Sequence, residues 1–318
     1  MMFVLLRGIS DMDYIINRKR KITFKDLLLE KQVLAPCIYD CLSARAAEII
    51  GFKAALLSGG VLAYSMSGLP DMALITADEL LWAADRISSY SQLPIIVDAD
   101  DGYGESPIAV YRTAKRLIKV GAKAFTLDDT TGIRGWERWA FSEKDKKEHK
   151  VISQEKWLSK VKAALKACEG TDCMVIARTE SKFRYGINEA IVRCQKAIDL
   201  GAEMTLIIGL KNLEEAKLVS NHVTGWKMWP DVGSRNNIPD VELDDIAELG
   251  FNLVTMHFLE KGAMYGMLDY GKHVFADWNT VYSDNHDMGG LSTEEQRNSL
   301  SMDYLKWLEF EKECLELN

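Results

Sequence analysis

The chain has 318 residues, 47% of them apolar, with 39 basic against 47 acidic side chains and a formal charge of -8. That supplies enough apolar material for one large core, and the acidic balance leaves no basic stripe of the kind nucleic acid requires. Small anionic ligands stay compatible with it, because a cation or an arginine reverses the sign inside a pocket.

The opening run Met1 to Leu6 meets Arg7 and Gly8, which makes it too short for a secretory signal or a membrane span. No other stretch approaches the necessary length. The six cysteines, Cys37, Cys41, Cys168, Cys173, Cys194 and Cys314, form no C-x-x-C pair and show no zinc spacing. Reduced thiols in a soluble, cytoplasmic protein are the expectation.

Apolar, strand-like runs fall at 33–38, 54–57, 94–99, 124–127, 174–177, 204–208, 226–229 and 253–258. Segments with helical periodicity lie at 43–50, 77–90, 107–120, 154–167, 188–200, 213–220, 241–249 and 263–274. Strand alternating with helix demands parallel pairing, and eight such units predict a closed (β/α)8 barrel of the TIM type. Gly51, Gly121, Gly201 and Gly250 each follow a helical stretch directly, where a glycine accepts the left-handed turn that stops a helix. These stops define the barrel bottom.

The opposite ends of the strands carry polar groups: Asp40, Ser58 with Gly59, Asp98 with Asp100, Asp128 with Asp129, Arg178 with Glu180, Asp231 and His257. In this architecture that face holds the active site. After about Val274 the pattern changes, and Ser292 or Thr293, followed by Glu294 and Glu295, can cap a last helix whose stripe of Tyr304, Leu305, Trp307, Leu308 and Phe310 is too large to leave wet. The expected division is therefore a barrel over 1–274, including an amino-terminal lead-in, and a helical extension over 275–318.

The densest signal is Ile95-Ile96-Val97-Asp98-Ala99-Asp100-Asp101-Gly102-Tyr103-Gly104, an apolar strand that ends in three carboxylates. If the strand persists to Asp100, Asp98 and Asp100 project from one face. Hard oxygen donors there suit Mg²⁺, which takes one or two direct carboxylates and keeps several waters. The plainer alternative is an Asp-rich start to the following helix.

Taken together with Tyr39-Asp40-Cys41-Leu42-Ser43-Ala44, Leu57-Ser58-Gly59-Gly60, Gly68-Leu69-Pro70-Asp71, Asp128-Asp129 and Ala177-Arg178-Thr179-Glu180, this run resembles the isocitrate lyase and phosphoenolpyruvate mutase superfamily over roughly residues 22 to 270. The resemblance implies a barrel that binds Mg²⁺, or Mn²⁺, and a 2-oxo acid or its enolate, and a dimer of dimers in which a C-terminal helix is exchanged between subunits. It implies that Asp71, Asp98, Asp100 and Asp128 hold the metal, partly through water. Ser58 and the backbone of Gly59 and Gly60 would hold the substrate carboxylate with Arg178, and Tyr39 and Glu180 complete that pocket. Arg178 offers a planar fork that a lysine would not match; its plainer role is to pair with Glu180 or Asp129. Arg178, Asp71 and Arg134 are the expected catalytic residues.

The departures point away from isocitrate itself. Relatives usually carry Thr or Asn where this chain has Asp101, and Glu where it has Asp128. The lyases carry a Lys-x-Cys-Gly-His block after the second acidic pair, and the mutase a Lys and an Asn. Here Thr130 to Trp139 contains none of these, although Arg134 and Arg138 can serve a second anionic group from a lid hinged at Gly132 and Gly135, or pack with Trp136 and Trp139 as a surface loop. Ile208 stands where a Glu or His closes the sixth strand. His257 is expected as a satisfied histidine of the barrel mouth. The expected function is a Mg²⁺-dependent carbon–carbon lyase acting next to a 2-oxo or 2-hydroxy carboxylate. A phosphonopyruvate mutase or hydrolase and a non-catalytic, metal-binding and oxo-acid-binding barrel are the alternatives.

Overall fold

In a computed structural model, which describes residues 23–131, 150–235, 238–286, 298 and 301–315, eight parallel strands close on themselves. They are β1 (Val33–Ile38), β2 (Ala55–Leu57), β3 (Ile95–Asp98), β4 (Ala124–Leu127), β5 (Met174–Thr179), β6 (Met204–Ile207), β7 (Trp226–Trp229) and, after a two-stranded hairpin of β8 (Ser234–Arg235) and β9 (Ile238–Pro239), β10 (Phe251–Met256). The order around the barrel is β1-β10-β7-β6-β5-β4-β3-β2. Closure is made by Val33 pairing with Leu253 on one side of β1 and Cys37 with Leu56 on the other. The expected (β/α)8 barrel is therefore the observed one.

The two faces of each strand explain its nearly continuous apolar sequence. Along β1, Val33, Ala35 and Cys37 join the cluster inside the barrel, whereas Leu34 and Ile38 pack outward under the helices. An unforeseen short helix, Phe24–Glu30, puts Phe24 and Leu28 into the interior cluster and covers the barrel bottom. Thr23 starts it with a capping box, its side chain accepting from the Asp26 amide.

The four bottom glycines all have positive φ, from +79° at Gly250 to +108° at Gly201, as the turn from helix to strand requires. Boundaries moved most at β5, which runs two residues further than expected, to Thr179, and at the last barrel strand, which begins at Phe251. The helix expected at 263–274 is longer, Leu259–Asp277, and buries no residue in the single chain. Helix Tyr304–Leu315 is likewise exposed along its apolar stripe, with Trp307 46% accessible. An ion pair from Arg45 to Asp303 ties its start to the helix Cys41–Ile50. The caps expected at Ser292 or Thr293 lie outside the described residues. Among the described residues no helix is long and apolar enough to cross a membrane.

Candidate active site

At the carboxyl ends of the strands lies a cavity of about 750 Å³, and Ser58, Asp71, Asp98, Arg178, Asp231 and His257 are among its lining residues. All but Asp71 sit at or just beyond a barrel strand, because the strands end together here and the chain must turn outward; Asp71 comes from the long connection between β2 and β3.

The acidic wall differs from the expected one in how it is built. Strand β3 stops at Asp98, and Asp100 has a φ of +48°, so the pleat does not carry the two carboxylates to one face. A turn brings them together instead: a Cβ built on Gly59 would lie 3.7 Å from Asp100 Oδ1 and 4.0 Å from Asp98 Oδ2. The Asp128 amide donates to the Asp100 carbonyl at 2.8 Å, which fixes that turn against the end of β4. Asp71 reaches over Gly60 so closely that a Cβ there would meet its Cγ at 2.6 Å. Any side chain at position 60 would force the Asp71 carboxylate to move.

Arg178 sits among these carboxylates. Its Nη1 donates to Asp98 Oδ1 at 3.0 Å, its Nη2 donates to Glu180, and its Nε lies 3.8 Å from Asp128 Oδ2. Thr126 donates to the same Asp98 oxygen at 2.7 Å. The guanidinium thus links three acidic side chains, so the pairing with Glu180 is present and the pairing with Asp129 is not. Asp129 is fully buried and accepts from the Thr179 hydroxyl at 2.5 Å, the Glu180 amide at 2.9 Å and Arg193 at 2.9 Å. Burial raises its carboxyl to about 6, against the lowering effect of these donors. Asp129 holds the wall in place from behind.

Asp128, also fully buried, accepts from the amide and the hydroxyl of Thr130 at 2.9 and 2.7 Å. Asp101 turns away from the group: its carboxylate takes the Tyr103 amide at 2.9 Å and the Nζ of buried Lys160 at 3.2 Å. Its identity is set by a lysine on the helix Gln154–Cys168.

The remaining expected residues divide. Ser58 caps the short helix Gly59–Leu62, its hydroxyl accepting from the Val61 amide at 3.3 Å, which leaves its own proton to donate. Gly60 and Glu180 line the cavity, but Tyr39, Gly59, Asp100 and Asp128 stand outside its lining. Tyr39 is instead held by its amide donating to the Ser43 hydroxyl at 3.0 Å, and burial, followed by the charges of Asp40 and Glu260, raises its phenol. Asp40 is a helix cap, accepting from the Ser43 amide at 2.7 Å. Arg134, Arg138 and their neighbouring glycines and tryptophans lie outside the described residues. Ile208 lines the cavity just after β6, with Leu206 and Leu210. His257 meets carboxylates through both ring nitrogens, Nε2 at 3.2 Å from Asp231 and Nδ1 at 3.5 Å from Glu260. Glu260 and Cys37 had no mark in the sequence, since one lies inside a helix and the other inside a strand.

The oxygen-only donor set of Asp71, Asp98, Asp100 and Asp128 fits a hard divalent cation.

The family model for phosphoenolpyruvate phosphomutase matches residues 24–274, and the chain belongs to this family. It is similar to oxaloacetate decarboxylase of Pseudomonas putida (strain GB-1), with 32% identity over 74% of this chain and 77% of the relative. It is also similar to 2-methylisocitrate lyase of Escherichia coli (strain K12), with 28% identity over 84% and 86% of the two chains. Among solved structures, a phosphonopyruvate hydrolase in complex with oxalate and Mg²⁺ shares the fold, with a TM-score of 0.72 at 22% identity, covering 92% of this chain and 97% of the other. The superfamily comprises lyases and mutases acting on oxo-acid substrates, and this chain is one of its members.

Proposed function

We propose that this protein is a Mg²⁺-dependent lyase that breaks or forms a carbon–carbon bond next to a 2-oxo or 2-hydroxy carboxylate, through an enolate of the pyruvate type. The observation that carries this reading is the wall in which Arg178 joins Asp98 and Glu180 while Asp71 closes over Gly60. The names of the two similar proteins, for an oxaloacetate and a 2-methylisocitrate reaction, support the substrate class.

In this reading Asp71, Asp98, Asp100 and Asp128 would hold Mg²⁺, or Mn²⁺, in part through water. When bound, the ion would polarise the 2-oxo oxygen and offset the negative charge that gathers there as the bond breaks. The protein's own groups orient the substrate. Ser58 can donate its hydroxyl proton to the substrate carboxylate, and the fork of Arg178 favours a planar anion beside the acidic wall. Leu206, Ile208, Leu210 and Met228 give the cavity an apolar side, which excludes water and strengthens every charge interaction within it. Arg134 is proposed to reach a second carboxylate.

The test is incubation with Mg²⁺ and a panel of oxaloacetate and substituted malates, with detection of pyruvate-like products. Turnover of at least one supports the lyase; no turnover of any, while oxalate and Mg²⁺ still bind by calorimetry, rejects it and leaves a binding protein. A carbon–phosphorus reaction is the second reading, favoured by the family match and by the fold shared with the phosphonopyruvate hydrolase. Phosphorus NMR of a reaction with phosphonopyruvate decides it, since an unchanged carbon-bonded signal excludes that chemistry.

A further inference from the structure

Across the cavity from the acidic wall, the neighbouring strands β1, β10 and β7 bring a different set of donors together. Cys37 lies inside β1, Asp231 follows β7 and His257 follows β10. One ligand atom from each lies within 4.8 Å of the others. The Cys37 sulfur is 3.9 Å from Asp231 Oδ1, and His257 Nε2 is 3.2 Å from Asp231 Oδ2.

We propose that Cys37, Asp231 and His257 form a second cation site, selective for a thiophilic divalent ion of the Zn²⁺ class and distinct from the carboxylate site for Mg²⁺. Sulfur, nitrogen and oxygen donors in one place suit Zn²⁺, whereas Mg²⁺ takes oxygen and gains little from a thiolate. The spacing also agrees: with bonds of about 2.3 Å to sulfur and about 2.0–2.2 Å to nitrogen and oxygen, tetrahedral ligand atoms stand roughly 3.4–3.6 Å apart. Cys37 Sγ stands 3.9 Å from one Asp231 oxygen and His257 Nε2 3.2 Å from the other, and one ligand atom of each residue lies within 4.8 Å of the rest, so small side-chain adjustments reach that spacing.

The surroundings match those of a metal-bound histidine and carboxylate. The outer ring nitrogen of His257, Nδ1, faces Glu260 Oε1 at 3.5 Å, which is where a carboxylate fixes the tautomer and orientation of a ligating imidazole. Thr255 donates to Asp231 Oδ1 at 2.9 Å and so orients that carboxylate. Three protein ligands leave a fourth position, and Asp231 and His257 both line the cavity, so water or one end of an anionic ligand can occupy it. On binding, the ion takes the place of the Cys37 thiol proton, which passes to solvent.

The experiment uses the full chain, stripped with a chelator and titrated with Co²⁺ as the spectroscopic stand-in for Zn²⁺. With excess Mg²⁺ present to hold the carboxylate site, the expected result is one equivalent of Co²⁺ bound with tetrahedral visible bands and a thiolate-to-cobalt charge-transfer band in the near ultraviolet. Zn²⁺ should displace it, and excess Mg²⁺ should not. Cys37→Ala should abolish the charge-transfer band, and Asp231→Asn and His257→Gln should each weaken binding at least about tenfold. Cys173→Ala should change nothing. Absence of the band, its survival in Cys37→Ala, or unaltered affinity in both other variants would overturn the site. Circular dichroism of each variant verifies the fold, and the two polar replacements lie at the cavity rim, so loss of structure does not mimic loss of the site.

Discussion

Arg193 donates to Asp129 at 2.9 Å at a point where the arginine side chain is 4% exposed and the aspartate not at all. This pair stands behind the acidic wall, since the second oxygen of Asp129 takes the Glu180 amide. Removing one partner of a buried pair leaves an uncompensated charge, at a cost of about 3–5 kcal/mol. Asp129→Ala should therefore lose about that much stability in urea unfolding, whereas Asp129→Leu combined with Arg193→Met should recover only the part due to the unpaired charge, because the acceptor of the Thr179 hydroxyl and the Glu180 amide is still removed.

Position 60 links backbone to chemistry. A methyl group there collides with the Asp71 carboxylate, and the aspartate must move. Gly60→Ala is expected to lower Mg²⁺-dependent turnover about 10²-fold, the usual consequence of displacing a positioned group by an ångström. The midpoint of thermal unfolding should change little. Equal loss of both would show that the glycine serves folding alone.

Lys227, in β7, is buried and donates to the Gly225 carbonyl at 3.0 Å. Burial lowers its ammonium below the ordinary lysine value. Between the lowered and the ordinary value the unfolded chain binds more protons, so stability rises with pH across that window and carries the full penalty below it. Lys227→Met should accordingly raise the unfolding temperature at pH 7. That advantage should shrink as the pH approaches about 10.4, the unperturbed lysine value.

The helices Leu259–Asp277 and Tyr304–Leu315 expose Tyr265, Met267, Phe275, Trp307 and other large apolar groups in the single chain. A second copy of the chain is the proposed cover, giving a dimer of dimers. Sedimentation of the full chain should report that tetramer, and deletion of residues 298–318 should lower the number of chains per assembly; a full-length monomer would refute the proposal.

The barrel was legible in the sequence because its signals are local: a strand buried on both faces is an apolar run, and a helix stop is a glycine. The acidic wall was legible for the same reason, as carboxylates at strand ends in a known order. Its partnerships were not. Asp98 and Asp100 converge through a turn rather than a pleat, Asp101 answers Lys160, and Asp129 answers Arg193. Cysteine spacing excluded a sequence-local zinc motif, yet Cys37 meets Asp231 across 194 positions. Periodicity and punctuation are properties of neighbouring residues, and the sequence alone determined those. Which charge faces which depends on how β1, β7 and β10 are laid side by side in the closed sheet, and only the tertiary structure decided that.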